Sequence, residues 1–528
     1  MRGGVLADRA LLINAENKLV CDCGPWEAPG GRSSDDGVSE RTFANEGGGL
    51  MAAGSGPGDR VVIGVDSSTQ ATKALAVDVE TGKVLGEGRA SHTVSTGAGR
   101  ESRPEQWWDA LAEALGQTGY ADSAAAIAIG GQQHGLVALD EHGRSVHPAL
   151  LWNDVRSAPN AEALVERLGA QTWADRVGSV PGASFTVTKW DWLRRHDPEA
   201  AARVRQVMLP HDYLIWRLTG EHVTDRGDVS GTGWWGPDGY DKEILALVGL
   251  DESYLPRVGE PGSIAGHVPA GLPLREGTPV ATGTGDNMAA ALGLGLEPGA
   301  PVISLGTSGT AYAVTRGRPT DPTGTVAGFA DALGNWLPLA CTLNCTLAVD
   351  RVAQWLGLDR EAVEPGGEAV VLPYLDGERT PNLPYASGLF YGLRHDTTPG
   401  QILRAAYEGA AASLLTAVDE VLRSGNEQPE ADAPLILIGG GAKGDAWRTT
   451  VRRLSGRPVL VPKLEEIVAV GAAAQAAALV TGERADEVAR RWKTREGTLY
   501  DPLPADRTAL ARIASVRARA EALVATED

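Results

Sequence analysis

PVISLGTSGTAYAVT, residues 301–315, decides how this chain is put together. An apolar run leads into a small loop of Ser, Thr and Gly, and a second apolar run leaves it. The same form stands earlier as VVIGVDSSTQATKALAV, residues 61–77. Each pattern predicts two strands joined by a tight polar turn. Self-similarity over such a separation predicts two homologous lobes, each opening with a β-hairpin whose tip offers hydroxyls and backbone N–H groups to phosphate oxygens. Two such tips facing one another across a cleft would clamp a polyphosphate.

Outward from the first hairpin, KVLGEG predicts a third strand, antiparallel like the first two, and PEQWWDALAEAL a helix opened by Pro104 in its first turn. AIAIGG reads as a short buried strand. Helices are expected around 160–168 and 189–195 and over LPHDYLIWRLTGE, and a Gly- and Trp-rich loop, DVSGTGWWGPDG, follows. The strand TPVATGTG runs straight into Asp286 and a helix. After the second hairpin come a helix near 401–422, the strand LILIGGG, a helix over 445–454, the strand PVLVP, an Ala-rich buried helix after Glu466 and a charged surface helix over 506–524.

With 528 residues the chain is too long for one hydrophobic core, so two large domains are expected. A net charge of -20 argues against non-specific attraction to nucleic acid or anionic lipid and for a small ligand. The four cysteines fall into two close pairs, Cys21 with Cys23 and Cys341 with Cys345, without zinc spacing, which fits a reducing cytoplasm. Asp8 and Arg9 interrupt the apolar start, so no secretory signal is legible, and the apolar stretch 467–480 is too short and too Ala- and Gly-rich for a membrane span. Residues 1–58 show no sustained period and are expected to form a disordered leader, with Met51 a candidate start.

Several residues can carry chemistry. Asp66 sits at the first hairpin tip, where it could hold Mg2+ through water or merely shape a turn. Asp286 begins a helix, where the macrodipole favours a carboxylate, although an ordinary N-cap looks the same in sequence. GGQQHG, residues 130–135, ends a strand with Gln133 and His134, and Trp152, Asn153 and Asp154 follow. Gln, His, Asn and Asp can read a polyol's hydroxyls while a Trp face packs on its CH groups. GGGAKG, residues 439–444, fits G-x-G-x-x-G after a strand, with Glu465 and Glu466 about where a ribose-binding acid would stand, so an NAD-dependent dehydrogenase has to be weighed. That reading explains neither the repeated hairpins nor Asp286.

Taken together, VDSSTQATK, GQQHG, PALLWNDVRS, LPHDYLIWRLTGE, GTGDN, SLGTSGT, LPYLDGERTP and LIGGGAKGDAWR, in this order, resemble the FGGY family of carbohydrate kinases from about Val61 to about Val524. The resemblance implies an α/β chain with two RNase H-like domains of the actin, hexokinase and Hsp70 superfamily around a central cleft. It implies a sugar-binding domain over 59–299 and an ATP-binding domain over 300–528. GQ-x-HG followed by P-A-[IL]-L-W-N-D is similar to the members that phosphorylate D-xylulose. The resemblance makes Asp286 the proton acceptor, Asn287 its sugar-binding neighbour, Gln133 and His134 sugar contacts, and Asp66 the carboxylate near Mg2+. Thr69, Gln70, Lys73, Gly306, Thr307 and Ser308 would serve ATP's phosphates, and Gly440, Gly441 and Ala442 its adenosine. Ser68 stands where the family's first loop usually has glycine, and His211 where lysine is common. The expected partners are a small sugar and ATP, with neither nucleic acid nor membrane; a homodimer is left open. The rivals are a family member acting on glycerol, ribulose or gluconate, the dehydrogenase, and a catalytically silent actin-like nucleotide binder.

Overall fold

Val61–Ser67 pairs antiparallel with Ala71–Asp78, and Pro301–Leu305 with Gly309–Ala313, so both hairpins form where the pattern puts them. The strand Val61–Ser67 is buried along its whole length, which is why it reads as an apolar run rather than an alternation. The computed structural model describes residues 61–95, 99–383, 385–428 and 432–524. The expectations for 1–58, including the start at Met51 and the Cys21–Cys23 pair, lie outside the described residues.

Each hairpin seeds a seven-stranded sheet. In the first, Val84–Ser91, Ala71–Asp78, Val61–Ser67, Ile127–Gly131, Pro279–Ala281 and Ile264–His267 lie side by side. In the second the order is Trp336–Thr342, Gly309–Ala313, Pro301–Leu305, Leu435–Ile438, Val459–Pro462 and Gly497–Tyr500, with Ala327–Ala330 added at one edge. Read in these orders, both run antiparallel, antiparallel, parallel, parallel, antiparallel. Two halves of one chain thus repeat a topology, as the hairpin repeat predicts. A helix covers the same strands in each half: Pro104–Thr118 packs on the first hairpin and its neighbour, Pro399–Ser424 on the second. No helix among the described residues is long and apolar enough to cross a membrane.

The single strand expected before Asp286 is two. Pro279–Ala281 ends, the chain turns through Gly283 at φ +63°, and Thr284–Gly285 rejoins Ile127–Gly131. A Cβ at Gly283 would lie 2.4 Å from the Ile129 carbonyl oxygen, so only glycine allows this return. The final helix Arg507–Val524 is not purely a surface element, since it buries Ala509, Ile513, Val516 and Ala520.

The Ala-rich helix Ile467–Thr481 belongs to the second half of the sequence but packs on the first sheet and on the helix Asp286–Gly293. Its composition follows from how close it lies. A Cβ at Gly471 would meet the Ala289 carbonyl oxygen at 1.9 Å, and one at Gly64 the Ala469 carbonyl oxygen at 2.0 Å. This helix therefore fixes the one that begins with Asp286. A second link between the halves is backbone to backbone, where Gly328 N–H donates to the Gly178 carbonyl at 3.0 Å.

Candidate active site

Between the halves lies a cleft of about 490 Å³. Ser68 and Thr69 of the first hairpin tip line it, as do Ser308 and Thr310 of the second. Gln133, His134, Trp152, Asp286 and Asn287 complete its wall on the first lobe, Phe329 and Arg379 on the second. The two tips and the carboxylate, far apart in sequence, share one space of a size suited to small ligands.

Asp286 is not an N-cap. That position is Gly285, which makes no side-chain cap, and Asp286 is the first residue of the helix Asp286–Gly293. Its Oδ1 accepts from Asn287 N–H at 2.8 Å and from Asn287 Nδ2 at 3.1 Å. Both contacts fall on Oδ1, which leaves Oδ2 for a ligand. Burial, joined by the charges of Asp66 and Asp228, pushes this carboxyl up to about 8. A proton acceptor near neutrality is what acid–base chemistry at this wall requires.

Asp66 lies one residue before the end of the first strand, buried opposite Lys73. Burial raises its carboxyl to about 6 against the lowering pull of Lys73, whose Nζ lies 3.9 Å away. That ammonium is committed elsewhere, at 2.6 Å from Glu466 Oε2. Among the described residues no three His, Cys, Asp or Glu side chains converge as a ready-made metal cage. Asp66, Lys73 and Gln70 are not among the residues lining the cleft, whereas Thr69 is. Trp152 Nε1–H donates to Thr69 Oγ1 at 3.0 Å and so ties the cleft wall that carries Trp152 to the hairpin tip.

Gln133 and Asn287 are joined by a 2.8 Å bond from Asn287 Nδ2 to Gln133 Oε1, and the Gln133 side chain also reaches the Asp228 carboxyl, whose charged form it favours. His134 sits at φ +64°, an uncommon backbone for a non-glycine residue and a frequent mark of function. Its ring packs between Phe185 and Phe329, with centroids 5.0 and 5.5 Å away. Its Nδ1–H donates to the Gly231 carbonyl at 2.6 Å. Burial, reinforced by the Lys189 charge, drops its pKa to about 3, so the ring is neutral and Nε2 keeps its lone pair for a hydroxyl. A Cβ at Gly231 would lie 2.8 Å from His134 Cε1, which explains a glycine of the Trp-rich loop.

Asp154 is placed differently from the expectation. It is buried and bound to Arg156, Nη2 to Oδ2 at 2.6 Å, and accepts Arg100 N–H at 2.8 Å. Its burial, which would raise the carboxyl, is outweighed by these bonds, and the pKa falls. Neither Asp154 nor Asn153 lines the cleft. Asp154 anchors the segment that carries Trp152, and Asn153 Oδ1 is buried without a partner.

At the second tip, Ser308 lines the cleft, while Gly306 and Thr307 turn their carbonyls to the start of the helix Thr346–Leu356: Thr346 N–H donates to Gly306 O at 3.1 Å. The Gly-rich turn Gly440–Lys443 abuts the same hairpin. A Cβ at Gly441 would meet Leu305 Cβ at 2.7 Å, whereas one at Gly440 would point into open space. Gly440, Gly441 and Ala442 thus adjoin the tip without lining the cleft itself.

Two buried cations stand near the cleft, His211, noted in the sequence only as a departure from the family's usual lysine, and Lys189, which carried no signal there. His211 is fully buried, with Nδ1 2.6 Å from Asp228 Oδ2 and Nε2 3.2 Å from Asp212 Oδ1 and 3.7 Å from Asp225 Oδ1. Burial opposes its charge, but Asp212, Asp228 and Asp225 outweigh that and hold it protonated, at about 10. Asp228 stands behind both Gln133 and Asp286, since a Cβ at Gly285 would meet Gln133 Cγ at 2.7 Å and Asp228 Oδ1 at 3.2 Å. Lys189, also fully buried, donates to the carbonyls of Ala183 and Ser184, the latter a cleft residue. Burial, aided by the Arg379 charge, lowers its pKa to about 7.

Comparison with known proteins places this architecture. The N-terminal domain of the FGGY family of carbohydrate kinases matches residues 61–293 and the C-terminal domain residues 302–480. A xylulose kinase of Streptomyces coelicolor is 65% identical over 480 residues, covering 90% of this chain and 98% of that protein. The crystal structure of a xylulose kinase from Bifidobacterium adolescentis, 36% identical, superimposes with a TM-score of 0.77 over 87% of this chain and 99% of its own. A glycerol kinase of Plasmodium falciparum with ADP shares the fold at 18% identity and a TM-score of 0.79, over 89% of this chain and 99% of its own.

Proposed function

The chain belongs to the FGGY family of carbohydrate kinases, and from that premise we propose that it transfers the γ-phosphoryl group of ATP to the C5 hydroxyl of D-xylulose, giving D-xylulose 5-phosphate. The observation that carries this reading is the single cleft in which both hairpin tips meet Asp286 and Gln133. The 65% identity to a protein named xylulose kinase, over almost the whole of that relative, supports the sugar.

Asp286 orients the acceptor hydroxyl through Oδ2 and takes its proton, a role to which its raised pKa is matched. Phosphoryl transfer has a loose transition state, so alignment and charge neutralisation supply most of the acceleration. Thr69 and Ser308, presented by opposing tips, receive the phosphates; Gln133, His134 and Trp152 hold the sugar. The neutral His134 offers an acceptor to a hydroxyl, and the Gln133 amide, which lines the cleft in front of Asp228, offers a donor. Closing the halves would exclude the water that competes as acceptor.

Asp66 fits a divalent cation, because the nearest cation, the Lys73 ammonium 3.9 Å away, is already paired with Glu466. Mg2+ in phosphoryl-transfer sites usually takes one or two carboxylates and completes its shell with phosphate and water. Held there, it would neutralise charge on the phosphate oxygens. Cys341 and Cys345 are free thiols, in keeping with a reducing cytoplasm as the compartment.

The test is ADP release by the purified protein with ATP and Mg2+ against a panel of D-xylulose, D-ribulose, glycerol and D-gluconate. The largest kcat/KM is expected for D-xylulose, with a pentulose phosphate in the product mass spectrum. A clear preference for another polyol would overturn the substrate, and sugar-independent behaviour throughout would overturn the kinase reading.

A further inference from the structure

Arg379 is the one guanidinium among the described residues that line the cleft. It comes from the second lobe, yet its Nη2 donates to Ser184 Oγ of the first lobe at 3.1 Å. A Cβ at Gly182 would be 3.9 Å from the same nitrogen. Ser184, Gly182 and Phe185 line the cleft together, and His134 packs on the Phe185 ring.

Two features set this cation apart from the surface arginines. Its neighbour Glu378 does not neutralise it. That buried carboxylate is spent on N–H groups: Leu343 at 2.6 Å, Arg379's own backbone at 2.8 Å, Asn344 backbone at 3.3 Å and Asn344 Nδ2 at 3.1 Å. Glu378 therefore holds the backbone that presents Arg379 and leaves its side chain without an anionic partner among the described residues. Arg379 also faces the first lobe's polar wall. His134 and Lys189 are depressed first by burial, and then in part by its charge. A guanidinium offers five N–H donors in a planar fork; the Ser184 bond occupies one, the Cys341 thiol, a weak partner, meets another, and the rest are open to a ligand.

We propose that Arg379 is a specificity-determining residue that reads the sugar's C1–C2 end across the cleft, donating to its carbonyl and hydroxyl oxygens from the second lobe while His134 and Gln133 hold the chain from the first. This inference rests on the substrate reading above. A pentulose with its C5 hydroxyl at Asp286 carries its carbonyl and C1 hydroxyl at the other end, and these are the oxygens the fork's remaining donors would seek. Because the donor and the other sugar-holding groups belong to different lobes, filling the cleft also draws the lobes together.

The probe is a five-carbon chain in which that end is a carboxylate. D-Xylonate and its neutral counterpart xylitol are compared as competitive inhibitors against D-xylulose, in the wild type, in Arg379→Met and in Arg379→Lys. The wild type is expected to bind D-xylonate about tenfold or more tightly than xylitol, the gain of a charge-assisted over a neutral hydrogen bond. Arg379→Met is expected to abolish that preference and raise KM for D-xylulose roughly tenfold to a hundredfold, with KM for ATP within about twofold and an unchanged melting temperature. If Arg379→Met does not yield folded protein, Arg379→Lys, which keeps the charge but not the fork, is expected to cut the preference several-fold. A wild type that binds D-xylonate no better than xylitol overturns the inference, as does a folded Arg379→Met, or a folded Arg379→Lys in its place, with the preference intact. Absence of D-xylulose phosphorylation by the wild type would instead strike the substrate reading, so the two failures are distinguishable.

Discussion

Replacing Asp286 by Asn should make the protein more stable and nearly inactive. The carboxyl rises from an ordinary 3.8 to about 8, first because it is buried and then because Asp66 and Asp228 repel its charge. Its folded-state pKa lies above the unfolded one, so the wild type holds the full stability of this group only below about pH 4 and loses it as pH rises towards 8. Four pKa units correspond to a ceiling of about 5–6 kcal/mol at ~1.36 kcal/mol each. Asp286 is only half-buried at the cleft wall, and solvent screening there reduces the realisable effect to about 1–3 kcal/mol. The amide of Asn carries no charge and can still accept from Asn287 N–H through its oxygen. For a chain this long that gain is about 1–3 °C in Tm at pH 8.5, and much less at pH 5. Thermal melts of both proteins across this range measure it, and a coupled ADP-release assay measures turnover, expected to fall by about 10²–10⁴. A Tm difference that is flat in pH, or a kcat within about tenfold of wild type, would refute the reasoning.

Gly64→Val places a side chain 2.0 Å from the Ala469 carbonyl oxygen and 2.3 Å from Ala473 N, backbone atoms that cannot yield singly. A loss of about 1–3 kcal/mol or more is expected in denaturant unfolding, and an unchanged midpoint would show that the helix Ile467–Thr481 does not pack on the first sheet as described. His211→Gln removes the cation from between Asp212, Asp225 and Asp228 and should cost about 3–5 kcal/mol at pH 7. The raised folded pKa of His211 gives stability that is complete below about 6.5 and lost as pH rises through about 10, so the deficit should narrow at the alkaline end, and a deficit that widens there would contradict the charge assignment.

Much of this was legible in the chain itself. The hairpin repeat announced two lobes because a buried strand, a polar tip and a second strand are local, and their chemistry survives in a short window. Asp286, Gln133 and His134 stood at strand ends beside glycines, where an exposed tip is readable. Arg379, His211, Asp228 and Lys189 carried no such mark. Each acts through partners far away in sequence, as in the Arg379 bond to Ser184 or the three carboxylates around His211, and no spacing encodes that convergence. Asp154 misled for the opposite reason. Its place beside Trp152 and Asn153 suggested polyol recognition, yet Arg156 two residues on claims its carboxylate. The strand before Asp286 was read as continuous because the break at Gly283 depends on how closely the Ile129 carbonyl approaches, a tertiary fact.

The measurement that bears most directly on the account is a crystal structure of the protein with D-xylulose and a non-hydrolysable ATP analogue. It should show the terminal phosphate between Thr69 and Ser308, with the C5 hydroxyl within hydrogen-bond reach of Asp286 Oδ2. A nucleotide bound with its phosphates away from both hairpin tips, or a sugar whose C5 hydroxyl lies remote from Asp286, would contradict it.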